Sequence, residues 1–219
     1  MALRIIGKAS STVLAAALAL PFAAQAQQPA PVGDAASGQK IAYTCNGCHA
    51  IPNYKNVYPT YSVPKLHGQR PQYLIAALKA YKSGERSHGT MHSQASSLSD
   101  QDIADVAAYL AGPNVLSESK TDVPATARPK ASEVCLACHG TNGVGITADY
   151  PTLAGQHADY IERALHDYQR GGRKNVVMTQ MVATLKKQDI EELANYYSSQ
   201  SPALQTVPKK SFFFSTKNP

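Results

Sequence analysis

The sequence predicts an all-α protein of two tandem helical domains, each wrapped around one covalently bound planar group. Three observations lead there. The four cysteines fall in two short pairs, each followed at once by a histidine. Segments of one half recur in the other at a fixed offset of 87 residues. Apolar residues in both halves repeat at i, i+3 and i+4, and no strand alternation persists.

At 219 residues and 43% hydrophobic, the chain is long enough for one or two domains and too apolar for disorder. Arg4 and Lys8 precede an apolar run from Val13 to Ala24 that ends in Ala24-Gln25-Ala26, the pattern of an export signal. The run is short of the roughly 20 residues of a membrane span and contains Pro21. An uncleaved anchor is the alternative. Cleavage after Ala26 leaves a mature chain with no transmembrane segment, delivered to the periplasm. Its charge falls from +6 to +4. Residues 27–112 hold seven Lys/Arg against five Asp/Glu, and 131–200 hold six against eight, so the formal charges are +2 and −2. No clustered basic face points to nucleic acid.

An exported protein can use four cysteines for two disulfides. The spacing favours another use. Cys45-Asn46-Gly47-Cys48-His49 and Cys135-Leu136-Ala137-Cys138-His139 are both C-x-x-C-H. On a helical turn i and i+3 share a face, so both thiols reach the vinyl groups of one haem. The adjacent histidine then sits under the iron. This pattern reads as c-type haem attachment, here of two haem c groups. Paired C-x-x-C zinc motifs lie about 12–20 residues apart, whereas 86 residues separate Cys48 from Cys135. No strand–helix–strand pattern supports a thioredoxin-like pair. Disulfides remain chemically possible but leave both histidines unexplained.

The halves repeat each other. At the offset of 87, Pro64-Lys65-Leu66-His67-Gly68-Gln69 matches Pro151-Thr152-Leu153-Ala154-Gly155-Gln156, and Tyr73-Leu74, Ala77-Leu78, Tyr81, Met91, Leu98 and Gln101-Asp102-Ile103 also find partners. The haem motifs differ by 90, placing three more residues between His49 and Pro64 than between their counterparts. The predicted layout is a signal peptide over 1–26, domains over 27–112 and 131–200, a linker over 113–130 and a tail over 201–219.

Tyr73, Leu74, Ala77, Leu78 and Tyr81 form a helical stripe that Pro71 is suited to start. A later helix begins at Ser99 with Asp102 as capping partner, buries Ile103, Val106, Ala107 and Leu110, and stops at Gly112-Pro113. Ile190, Leu193, Ala194 and Tyr197 repeat that stripe, with Lys186 a weaker cap. So small a module has a thin core. A macrocycle supplies the missing apolar centre, and the apoprotein is expected to fold poorly.

Met91 and Met178 fall in equivalent loops, seven residues before Leu98 and Leu185. A thioether is a soft iron ligand, and haem of this kind often takes His and Met. The bland alternative is that Met fills a core gap. Met181, whose counterpart is Gln94, competes with Met178. His67, His88, His92, His157 and His166 find no histidine at the equivalent position and read as surface or hydrogen-bonding residues.

The order C-x-x-C-H, P-x-L-x-G-Q, tyrosine-bearing helix, Met loop and L-S-D-Q-D-I-A-D-V-A-A-Y resembles class I cytochrome c. Duplicated behind one signal peptide, it resembles the di-haem cytochrome c4 family over about residues 34–112 and 131–200. The resemblance implies that the carbonyls of Pro64 and Pro151 support His49 and His139, with iron held by His49 and Met91, and by His139 and Met178. It implies a carrier of single electrons between redox proteins, a donor and an acceptor such as a membrane-bound terminal oxidase, with no catalytic residues. The alternatives are the cytochrome subunit of a dehydrogenase complex and a di-haem peroxidase with one open iron. The opposite module charges suggest a different partner for each.

The family's amino-terminal helix carries a glycine and an aromatic residue that cross the last helix; Gly38 through Tyr43 fits this. Before Cys135, Pro129 leaves room for at most a short helix. The second haem is then less enclosed, or covered by the tail with Phe212, Phe213 and Phe214. A frayed terminus is the slightly preferred reading of that tail.

Overall fold

The computed structural model describes residues 32–117 and 123–208. The signal segment and the three phenylalanines of the tail lie outside the described residues. Nine α-helices occupy the described chain, with isolated β-bridges and no named strand.

The first module holds α1 (Ala35–Ile41), α2 (Tyr43–His49), α3 (Pro71–Ser83), α4 (Gly89–Ser96) and α5 (Asp100–Ala111). Local chemistry sets three of the starts. The Asp34 carboxylate accepts the amides of Ala36 and Ser37 at 3.1 Å and caps α1. Pro71 opens α3, where its missing N–H costs nothing. Ser99 and Asp102 form the expected capping box of α5. Leu74 and Leu78 of α3 meet Ile103, Val106, Ala107 and Leu110 of α5 in one buried core.

Gly38 lets α1 cross α5 almost backbone to backbone. A Cβ there would stand 1.9 Å from the Asp105 carbonyl oxygen. Tyr43 does not join the crossing, because its side chain is exposed. The adjacent Ala42 is the buried residue of that turn.

The second module holds α6 (Leu136–His139), α7 (Ala158–Gln169), α8 (Val176–Val182) and α9 (Lys187–Ser198). Two 3-10 turns, Ala125–Ala127 and Lys130–Ser132, stand where the first module has α1. Prolines just before each turn account for the shortness. Lys186 lacks an acceptor side chain, yet its amide donates to the Asp189 carboxylate at 2.8 Å and so keeps half a capping box. The second core is the smaller one, centred on Ile161, Leu193, Ala194, Tyr196 and Tyr197.

The tail differs from the frayed reading over residues 201–208. It runs back across both modules and reaches the first haem motif at His49. The Leu204 amide donates to the Ala154 carbonyl at 2.9 Å, and Gln205 and His67 exchange both backbone hydrogen bonds. The Val207 amide then donates to the His49 carbonyl at 3.1 Å, and its side chain enters the first core. Burying one such valine contributes about 1.5–3 kcal/mol, enough to hold the segment down. Gly155, at φ +68°, makes room for it: a Cβ there would lie 2.3 Å from that of Ala203.

Candidate haem-binding sites

α2 and α6 place the two cysteine pairs as the motif requires. Cys45 and Cys48 lie one turn apart on α2, half-buried, and Cys135 and Cys138 repeat this at α6. All four thiols are unpaired, so no disulfide competes for them. Cys45 borders the first core and Cys135 the second.

His49 and His139 close the two helices and are buried. Nδ1 of His49 lies 3.0 Å from the Pro64 carbonyl oxygen, and Nδ1 of His139 lies 3.0 Å from that of Pro151. A carbonyl only accepts, so each Nδ1 carries the proton and each Nε2 keeps a free lone pair. Burial pushes both imidazoles below their ordinary pKa against the pull of those hydrogen bonds. A neutral, oriented imidazole is what a metal ligand needs.

Met91 and Met178 are not in open loops. Each is the third residue of a short helix, α4 or α8. His88 Nδ1 accepts the Met91 amide at 3.2 Å, and Asn175 Oδ1 accepts the Met178 amide at 2.9 Å. These caps are repeat-equivalent although their residue types differ, because an imidazole nitrogen and an amide oxygen accept alike. Met91 borders the first core, and Met178 is half-buried. Met181, on the same helix as Met178, is 39% exposed.

Of the other histidines, His88, His92 and His166 make side-chain hydrogen bonds, whereas the buried Nδ1 of His67 has no partner among the described residues. His92 Nδ1 lies 2.9 Å from the Tyr81 carbonyl oxygen, and His166 Nδ1 lies 3.3 Å from Gln169 Oε1. Among the described residues, no cluster of three His, Cys, Asp or Glu side chains suits a bare metal ion.

Two buried arginines meet where the modules touch. Arg86 stacks over Tyr73 and Tyr81 at 5.3 and 5.6 Å, and Arg173 over Tyr160 and Tyr168 at 5.3 and 5.7 Å. Burial pushes the Tyr160 phenol up to about 12, so it stays neutral beside Arg173. Asp167 approaches Arg173 at 3.9 Å, and among the described residues no carboxylate pairs with Arg86. Both arginines sit at the 87-residue offset, so the sequence itself pairs them.

The chain's own residues therefore fit haem. Each half offers two thiols on one turn, a buried histidine with one nitrogen free and a half-buried thioether, and the interface holds buried positive charge in excess of its carboxylates.

Comparison with known proteins agrees. The family described as Cytochrome c matches twice, over residues 35–112 and 130–201. Cytochrome c4 of Pseudomonas aeruginosa is 35% identical over 178 residues, covering 75% of this chain and 87% of that one. The chain belongs to the cytochrome c4 family. The crystal structure of reduced recombinant cytochrome c4 from Pseudomonas stutzeri matches with a TM-score of 0.60 at 30% identity, over 77% of this chain and 100% of that one. The thiosulfate dehydrogenase electron acceptor of Stutzerimonas stutzeri is 28% identical over 204 residues, or 84% of this chain and 91% of that one. As a cytochrome c4 family member the chain is an all-α, di-haem electron-transfer cytochrome. Its cysteine pairs, Cys45 with Cys48 and Cys135 with Cys138, match two covalently bound haem c groups with iron. Among the described residues no helix is long and apolar enough to cross a membrane.

Proposed function

We propose that this chain is a periplasmic carrier of single electrons, exported by a signal peptide cleaved after Ala26. It takes electrons from a respiratory donor and delivers them to an acceptor such as a membrane-bound terminal oxidase. His49 and Met91 hold one iron, and His139 and Met178 the other. Each bound haem supplies a one-electron couple at its iron. The chain's residues do the rest. Pro64 and Pro151 orient the proximal rings, His88 and Asn175 seat the methionine-bearing helices, and the two cores exclude water. The buried positive charge of Arg86 and Arg173 would suit the anionic haem propionates. We assign the modules to 27–112 and 131–200, joined by the linker 113–130.

One observation carries this reading. Both halves present the same pair, a buried histidine with only Nε2 free and a half-buried methionine on a capped helix. With a histidine and a methionine available to each haem, both remaining iron positions would be taken by the protein, which supports a carrier rather than a peroxidase. The modules' opposite charges support docking of different partners at the two ends. A second reading, an electron-accepting subunit bound to a dehydrogenase, draws on the similarity to the thiosulfate dehydrogenase electron acceptor.

Redox titration with peroxide challenge tests the carrier reading. The holoprotein should take up two electrons per chain, show two low-spin irons when oxidised and ignore peroxide. One high-spin iron that reacts rapidly with peroxide would make it an enzyme, and co-purification with a catalytic subunit would favour the second reading.

A further inference from the structure

The P-x-L-x-G-Q motif ends in a glutamine, and neither glutamine serves its own module alone. Gln156 reaches into the first module. Its Oε1 accepts the Lys65 amide at 3.0 Å, and its Nε2 donates to the Lys65 carbonyl at 2.9 Å. Gln69 does the reverse: its Oε1 accepts the Thr152 amide at 2.8 Å, and its Nε2 donates to the Thr152 carbonyl at 2.9 Å. Lys65 and Thr152 are repeat equivalents, as are the glutamines, so the clamps are related by the pseudo-symmetry of the chain. Both glutamine side chains are buried and also accept the next residue's amide, from Arg70 at 2.9 Å and His157 at 3.1 Å. Their orientation is fixed.

The clamped amide is not an arbitrary one. The N–H of Lys65 and the C=O of Pro64 belong to a single peptide group, and that carbonyl accepts the proton of His49 Nδ1. The N–H of Thr152 and the C=O of Pro151 are joined in the same way, and that carbonyl serves His139. Each chain of hydrogen bonds thus runs from a histidine ring through one peptide plane to a glutamine of the other module. A peptide that donates through its N–H becomes a stronger acceptor at its oxygen, by about 10–30% per bond.

The geometry points to Gln156 and Gln69 as crossed positioning residues: Gln156 tunes the haem iron of the first module through Pro64 and His49, and Gln69 that of the second through Pro151 and His139. This rests on the assignment of His49 and His139 as axial ligands. A stronger hydrogen bond at Nδ1 makes the ring a more basic ligand, favours the oxidised iron and lowers the potential. Loss of a glutamine acts in the opposite sense, on the haem of the other module.

The test is to measure both reduction potentials in holoprotein carrying Gln156→Met or Gln69→Met, with the haems distinguished by resonances assigned to each module. Gln156→Met should raise the potential of the haem on Cys45 and Cys48 by a two- to threefold change in the one-electron equilibrium, about 20–30 mV at 59 mV per tenfold. The other haem should move far less, and Gln69→Met should give the mirror result. Equal shifts, a shift confined to the glutamine's own module, or none would overturn the proposal. Wild-type holoprotein provides a measurement that needs no variant. Its Lys65 and Thr152 amides should exchange among the slowest in the chain, and fast exchange of both would equally overturn it. Failure of the axial assignment would be separate, appearing as a wild-type spectrum without His/Met low-spin irons.

Discussion

Arg86 and Arg173 form an antiparallel backbone bridge between the two modules. The Ser87 amide donates to the Gly172 carbonyl at 2.7 Å, and the Lys174 amide donates to that of Glu85 at 2.8 Å. Those bonds are themselves related by the 87-residue offset. Together with the glutamine clamps and the returning tail, they interlock the two modules well beyond what a linker would do.

The two arginines differ in what their loss leaves behind. Arg173→Met removes ring stacking, a hydrogen bond to the Tyr160 hydroxyl and the more distant of two cations beside Asp167, which keeps Arg163 at 2.9 Å. It should cost about 2–3 kcal/mol, the stacking and hydrogen bond plus a weakened ion pair. Arg86→Met removes ring stacking and a hydrogen bond to the Tyr73 hydroxyl but strands no carboxylate. It should cost about 1–2 kcal/mol. Chemical denaturation of each holoprotein checks the order, and a larger loss for Arg86→Met would contradict it.

Asp159 ties the modules together in a pH-dependent way. Burial raises its pKa, but hydrogen bonds from the Ser62 hydroxyl and amide and from Lys55 outweigh burial and hold it below 3.8. A depressed carboxylate contributes fully above its unfolded value and loses its contribution as pH falls through the lower folded value. Wild-type stability should therefore drop more steeply from about pH 5 to about pH 3 than that of Asp159→Asn. Parallel stability curves for the two proteins would contradict this.

Gly38→Ala tests the helix crossing. The added methyl meets the Asp105 carbonyl, a backbone atom that cannot swing aside. We expect a loss of about 2–3 kcal/mol, the upper part of the range for overpacking. Gly47→Ala meets nothing within 4 Å and serves as the control for a glycine in the neighbouring helix. Comparable thermal shifts for both would contradict the crossing.

The sequence carried the helices because their caps and stripes are local: Pro71 for α3, Ser99 and Asp102 for α5, and the Ile190–Tyr197 stripe for α9. The haem motifs were legible because thioether attachment fixes both residue type and spacing. What could not be read was contact between halves. Gln69 and Gln156 were visible as repeats, but a repeat does not say whether its residue turns inward or across. Tyr43 matched an expected aromatic by position, yet its neighbour Ala42 is the one buried. The tail's return to His49 depends on backbone hydrogen bonds, which leave no mark in side-chain pattern. The short helices around the methionines were missed because His88 and Asn175 cap alike while looking unlike.

The spectrum of oxidised holoprotein with Met91→Ala, Met178→Ala or Met181→Ala tests the proposed His/Met carrier most directly. Met91→Ala and Met178→Ala should each abolish one of two Met-ligated low-spin signals, and Met181→Ala should keep both. Retention of both signals in Met91→Ala and Met178→Ala would contradict a carrier whose irons are closed by these residues.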